Sequence, residues 1–159
     1  MDELTNILNW RQPEELISLS GQPDETQLVQ LRDAGVTHVI NLGPHDNKGA
    51  LADEPSSVAK LGMEYIYIPV DFDAPTDSDF EVFTDVLDNL TNHRVHIHCI
   101  YNARVTAFYY RYSKNKPQYD EAAALSIMET IWRPGGVWAD FIGKTEDANL
   151  PNRYAGYEY

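Results

Sequence analysis

Cysteine is almost absent: the 159 residues hold one, Cys99. That excludes an internal disulfide and suits a reducing compartment. Positive charge is scarce as well. Twelve Lys and Arg stand against 25 Asp and Glu, a net charge of −13, and so acidic a chain is a poor partner for nucleic acid or an anionic membrane. The same balance denies an anionic substrate long-range attraction, so any phosphate site must be a local island of positive charge. No apolar run approaches the roughly 20 residues that span a bilayer. The opening Met-Asp-Glu-Leu-Thr has neither the basic n-region nor the apolar core of a signal peptide. The expected location is the cytoplasm, or the periplasm if a leader has been removed. Internal repeats and low-complexity stretches are also missing. What remains is an ordinary globular composition, 43% hydrophobic, long enough for one sizeable core. A single domain is expected over 1–142, with a polar, tyrosine-rich tail over 143–159.

The pattern of apolar residues predicts strands alternating with helices. A short strand over 16–20 turns at Gly21-Gln22-Pro23 into a helix that Asp24 and Gln27 cap reciprocally. Leu28, Leu31 and Ala34 give this helix its buried face, and Gly35 supplies a left-handed end. Residues 37–42 form a buried strand, 43–55 a loop, and Ser56 to Leu61 a brief helix that stops at Gly62. A strand over 63–70 follows, then a helix that Thr76 and Asp79 cap, with Phe80, Phe83, Leu87 and Leu90 as its inward stripe. Residues 93–99 make the fourth strand, a helix runs from Arg104 towards Lys114, and a last helix spans 119–132 until Pro134-Gly135-Gly136 ends it. The alternation implies an α/β fold with a central, mostly parallel sheet flanked by helices. Ligands bind such sheets outside the carboxyl ends of the strands, which here brings together 43–55, 71–77 and 99–104.

On that edge lies Val95-His96-Ile97-His98-Cys99-Ile100-Tyr101-Asn102-Ala103-Arg104. A lone cysteine ending a core strand is usually an inert buried thiol. Here the strand passes straight into a helix, and N–H groups converging at a helix start bind oxyanions and favour a thiolate. Arg104 adds a planar fork of donors matched to phosphate or sulfate. Cys99 is therefore the candidate nucleophile, Arg104 the clamp, and Ile100, Tyr101, Asn102 and Ala103 the phosphate-binding loop. Asn102 is the residue among them best able to adopt a left-handed conformation. Tyr101 is either a wall of the pocket or a plug. His96 and His98 lie on the opposite strand face from Cys99, an alternation that serves a single metal ion badly, so no metal is expected. His98 instead fits a role in fixing the loop by hydrogen bonds. Trp10, Trp132 and Trp138 read as packing aromatics.

A cysteine-based phosphatase also needs an acid to protonate the departing alkoxide. Asp71-Phe72-Asp73-Ala74-Pro75-Thr76-Asp77 leaves the third strand on the correct edge. Asp77 and Asp79 sit in the first turn of the next helix and suit its dipole. Asp71 and Asp73 precede the cap and are free to lean over the site. Asp73 is preferred because Pro75 stiffens the loop just beyond it, with Asp71 close behind.

Ser20-Gly21-Gln22-Pro23, the Val39-Ile40-Asn41-Leu42 strand after Gly35, Ile68-Pro69-Val70-Asp71 and His98-Cys99-x4-Arg104 together resemble a bacterial phosphatase family, domain of unknown function 442. That family is related to the β-lactamase-hydrolase-like phosphatase domains and to dual-specificity protein tyrosine phosphatases. The resemblance covers roughly residues 15–132. It implies a phosphatase-like fold, a cysteinyl-phosphate intermediate on Cys99, phosphate held by Arg104, no cofactor, and a phosphorylated small molecule or phosphoprotein as substrate. The chain departs from tyrosine phosphatases in three ways. Its loop has four residues between cysteine and arginine instead of five, contains no glycine, and is followed by Val105 where a serine or threonine is usual, with Thr106 one place further on. A loop this short resembles that of rhodanese-type sulfurtransferases. A persulfide-carrying sulfurtransferase and a weakly catalytic phosphate-binding module are the alternatives.

Overall fold

The structure, a computed structural model, describes residues 2–154. Its centre is a five-stranded sheet in the order β1 (Arg11–Glu14), β2 (Ile17–Ser20), β5 (Val95–His98), β3 (His38–Asn41) and β4 (Glu64–Tyr67). β2, β5, β3 and β4 run parallel and β1 pairs antiparallel with β2. The register sets Ser20, His98 and Asn41 side by side at one end, so three strands deliver their last residues to a common edge.

The helices follow from local chemistry. α1 (Glu25–Asp33) starts with the expected reciprocal cap, Gln27 N–H donating to Asp24 Oδ1 at 2.8 Å and Asp24 N–H to Gln27 Oε1 at 3.0 Å. It ends before Gly35, whose φ of +98° a side chain would resist. α2 spans Glu54–Lys60, two residues earlier than the sequence pattern suggests, because Asp53 caps it and Pro55 is preset for a first turn. Thr76 Oγ1 caps α3 (Asp77–Asp88) by accepting from Asp79 N–H. α4 covers Ala103–Ser113, and α5, capped by Asp120, covers Glu121–Ile131.

Two apolar clusters sandwich the sheet. Val95, Ile97 and Cys99 face one with Leu19, Ile40, Phe83 and the inner sides of α4 and α5; Val39 faces the other with Leu28, Leu31 and Val58. Each wholly buried aliphatic side chain is worth about 1.5–3 kcal/mol against exposure, and the fit of α4 against β5 is what fixes the strand-to-helix turn between them.

Several elements were not foreseen. β1 lies on the edge, where Pro13 costs no ladder bond. After Pro134-Gly135-Gly136 the chain does not stop being helical: Gly135 caps α6 (Gly136–Phe141), which buries Trp138 and Phe141. The residues beyond 142 include a 3₁₀ turn over Thr145–Asp147, and β7 (Arg153–Tyr154) pairs with β6 (Trp132–Arg133). Residues 155–159 of the expected tail lie outside the described residues. Among the described residues no helix is long and apolar enough to cross a membrane.

Candidate active site

A cleft of about 830 Å³ opens over the carboxyl edge of the sheet. Three loops form it, the three that the strand alternation brings together. Pro44, Asp46, Asn47 and Lys48 make one wall, Pro69, Asp71, Phe72 and Asp73 the other, and Ile100, Tyr101 and Arg104 the floor. Of the residues expected at the site, Arg104, Asp71, Asp73, Ile100 and Tyr101 thus meet in one space. Cys99, Asn102 and Ala103 are fully buried and do not line it.

The loop from Cys99 to Arg104 is held from behind. His98 Nδ1 contacts the Cys99 carbonyl at 3.0 Å, Gln22 N–H donates to the Ile100 carbonyl at 3.1 Å, and Asn9 Nδ2 donates to the Tyr101 carbonyl at 2.8 Å. Three successive carbonyls therefore point away from the loop's interior. No cis peptide occurs among the described residues, so the following N–H groups, those of Ile100, Tyr101 and Asn102, point the opposite way, inward. The Asn102 N–H already does so, donating to Cys99 Sγ at 3.2 Å. Asn102 takes the left-handed conformation expected of it, φ +82°, and its side chain donates to the Asn9 carbonyl at 2.8 Å. Thr106 has no part in this ring: its hydroxyl donates to the Asn102 and Ala103 carbonyls and accepts from Trp132 Nε1.

Behind the loop sits a buried pair that the sequence did not announce. His98 Nε2 meets Glu54 Oε2, and Gln22 Nε2 donates to Glu54 Oε1 at 2.9 Å. Both ring nitrogens of His98 are thus engaged, Nδ1 at the Cys99 carbonyl and Nε2 at Glu54. Burial pushes the Glu54 carboxyl upward, but the charge and hydrogen bond of His98, with Gln22 and His45, outweigh it and hold Glu54 below the ordinary carboxylate range. No motif marks Glu54, because its partner lies 44 positions away. His96 is separate from the site: Ser18 and Ser20 bond its two nitrogens, and Trp10 stacks on it at 5.4 Å.

Arg104 is only 2% exposed. Burial lowers its pKa, and the nearby Cys99, Asp71, Tyr154 and Asp73 pull it back up; a guanidinium stays charged throughout. Its guanidinium carbon stands 5.2 Å from the centre of the Phe72 ring. Phe72 packs against Trp132 at 5.7 Å and Trp138 at 5.6 Å, and its carbonyl accepts from Trp138 Nε1 at 2.7 Å. The apolar residue between the two aspartates is thus the anchor of their loop. With Phe72 turned into the core, Asp71 and Asp73 stay exposed on the cleft side, Asp71 Oδ1 accepting from Asp73 N–H at 2.9 Å.

No family model matches the sequence, and no curated protein does. Solved structures do. A DUF442 protein of Shewanella putrefaciens CN-32, named as a phosphatase, has two such structures. One is 34% identical over 89% of this chain and 93% of its own, with a TM-score of 0.78. The other is 36% identical over 79% and 81%, with a TM-score of 0.72. The chain belongs to the DUF442 family. Two more distant structures share the fold with this DUF442 protein. One is a variant of P. aeruginosa TpbA in complex with pTyr, 16% identical over 91% of this chain and 82% of its own, TM-score 0.63. The other is the core catalytic domain of the PP-IP phosphatase SIW14 from S. cerevisiae in complex with citrate, 12% identical over 91% and 83%, TM-score 0.66. The expected α/β architecture with a mostly parallel sheet is therefore the architecture of this family.

Proposed function

We propose that this DUF442 protein is a phosphatase that hydrolyses a phosphate monoester through a covalent phosphate on Cys99. The observation that supports this best is the set of outward carbonyls over 99–101, bonded from behind by His98, Gln22 and Asn9. It turns the matching N–H groups inward, near a buried guanidinium, the kind of environment a tetrahedral oxyanion requires. Cys99 Sγ lies within the same ring. The single unpaired cysteine suits a reducing compartment such as the cytoplasm.

In the first step the Cys99 thiolate attacks phosphorus and the P–O bond to the leaving group breaks. Asp73, protonated, gives its proton to the departing oxygen, and Arg104 with the loop N–H groups bears the charge on the non-bridging oxygens. In the second step water attacks the same phosphorus and the S–P bond breaks. Asp73 takes the water's proton, and phosphate leaves with the thiolate restored. Because Cys99 is fully buried, Ile100 and Tyr101 must yield as phosphate enters, which makes Tyr101 a movable wall.

The test is a comparison of purified wild type, Cys99→Ser, Asp73→Asn and Asp71→Asn on aryl and alkyl phosphates, beside sulfur transfer from thiosulfate to cyanide. Cys99→Ser should abolish turnover while still binding phosphate. Asp73→Asn should slow esters with poor leaving groups by about 10²–10⁴ and spare those that leave readily. Full activity in Cys99→Ser would end the covalent mechanism. Brisk thiosulfate turnover with acid-independent ester hydrolysis would make the protein a sulfurtransferase.

A further inference from the structure

A second hollow, of about 250 Å³, lies next to the cleft, and the two share two residues, Phe72 and Asp73. Asp71 borders only the first. The walls of the second come from the start of α6 and from the strand of chain leading to β7, and they are fixed against each other. Gly136 N–H donates to the Leu150 carbonyl at 3.0 Å and Gly135 N–H to Asn152 Oδ1 at 2.8 Å. The approach is so close that a Cβ on Gly135 would stand 2.1 Å from the Leu150 oxygen. These backbone groups are satisfied within the walls, and the hollow presents apolar side chains, Val137, Leu150 and Pro151, alongside the polar Asp73 and Asn152. Val137 is 53% exposed and Leu150 43%, two of the few large apolar side chains left open on the described surface.

A general acid has to touch the leaving oxygen, and the rest of the leaving group continues from that oxygen away from phosphorus. With phosphate at Arg104 and the proton donor at Asp73, that direction runs past Asp73. The second hollow adjoins the cleft at Asp73. We propose that this hollow is a leaving-group subsite, and that it takes an uncharged apolar extension of the group esterified to phosphate, one aromatic ring or one branched aliphatic side chain. Its volume lies below that of the pockets that hold whole drug-sized molecules, which start near 300 Å³. The acidic border and the net charge of −13 disfavour an anionic group there. The inference rests on the reading of Asp73 as the acid.

The test uses phenyl phosphate and 4-biphenylyl phosphate, whose phenols leave with similar ease, on wild type, Val137→Ser and Leu150→Ser. Both residues are exposed, so the substitutions should leave the melting temperature and the kcat/KM for phenyl phosphate unchanged within about twofold. Wild type should favour the biphenylyl ester by at least about tenfold in kcat/KM, the low end of what a filled apolar subsite gives. Each serine variant should bring that ratio down towards one. A wild-type ratio near one, or a ratio that survives both substitutions, overturns the subsite. Binding of phenylphosphonate and 4-biphenylylphosphonate, which cannot be hydrolysed, separates the two levels. If neither ester turns over but the larger phosphonate binds tighter and loses that advantage in the variants, the subsite stands and the Cys99 chemistry falls. Turnover without preference has the opposite meaning.

Discussion

Phe72→Ala probes the link between the core and the acid loop. The ring is half-buried, packs on Trp132 and Trp138, and lies under Arg104. Truncating a fully buried phenylalanine costs about 3–5 kcal/mol, so a half-buried one should cost about 2 kcal/mol. For a chain of this length that lowers the melting temperature by roughly 4–8 °C. Calorimetry checks the first half. The second half is kinetic: without its anchor the Asp71–Asp73 segment no longer holds the proton donor over the cleft. Hydrolysis of an alkyl phosphate should fall at least about tenfold, part of the 10²–10⁴ that a general acid supplies. An aryl ester with a readily departing phenol should change by about twofold. An equal loss on both esters would mean that Phe72 acts through Arg104 and not through the acid, and an unchanged melting temperature would refute the anchoring itself.

Arg104→Lys should cut kcat/KM by about 10²–10³ on every ester, because an ammonium cannot reproduce the bidentate fork at the transition state; steady-state kinetics within a few-fold of wild type would take Arg104 off the phosphate. The Glu54–His98 pair predicts acid lability. A carboxyl held below its unfolded value contributes stability that is present above the ordinary carboxylate range and lost as the pH falls through the lowered native value. Melting temperatures measured from neutrality down to acid should therefore drop less steeply in Glu54→Gln than in wild type, and parallel curves would show that the pair carries no such linkage.

The parallel sheet and most of its helices were legible because each strand is short, apolar and bounded by capping residues or a glycine turn. The same reading brought Arg104 and the two aspartates into one cleft, with Cys99 buried at the start of the loop that ends in Arg104, since strand ends on one edge must share space. What escaped it depends on tertiary partners. Glu54 reads as one more surface acid until His98 arrives from 44 positions away. Phe72 reads as an incidental apolar residue in an acidic loop, and only Trp132 and Trp138 make it an anchor. Lys48 carries no signal beyond its presence in a loop at the correct edge. Gly135-Gly136 looked like a full stop after a helix and is the start of another, because a glycine can cap a helix that Trp138 and Phe141 pull inward. The irregular β1 gave no alternation to read.

The strand order has a consequence for how the molecule opens. Among the described residues β5 is the one bridge between β1–β2 on one side and β3–β4 on the other, and β5 is the strand that leads directly into Cys99. Fraying at either edge of the sheet can release β1 or β4 and leave the middle intact, but freeing β5 divides the sheet in two. Amides of Val95 to His98 should therefore exchange with solvent only through global unfolding, at the slow limit set by the whole domain, while those of β1 exchange by local opening. Cys99, the proposed nucleophile, directly follows the strand expected to open last, so the mobility that turnover needs is expected from the loops that surround it.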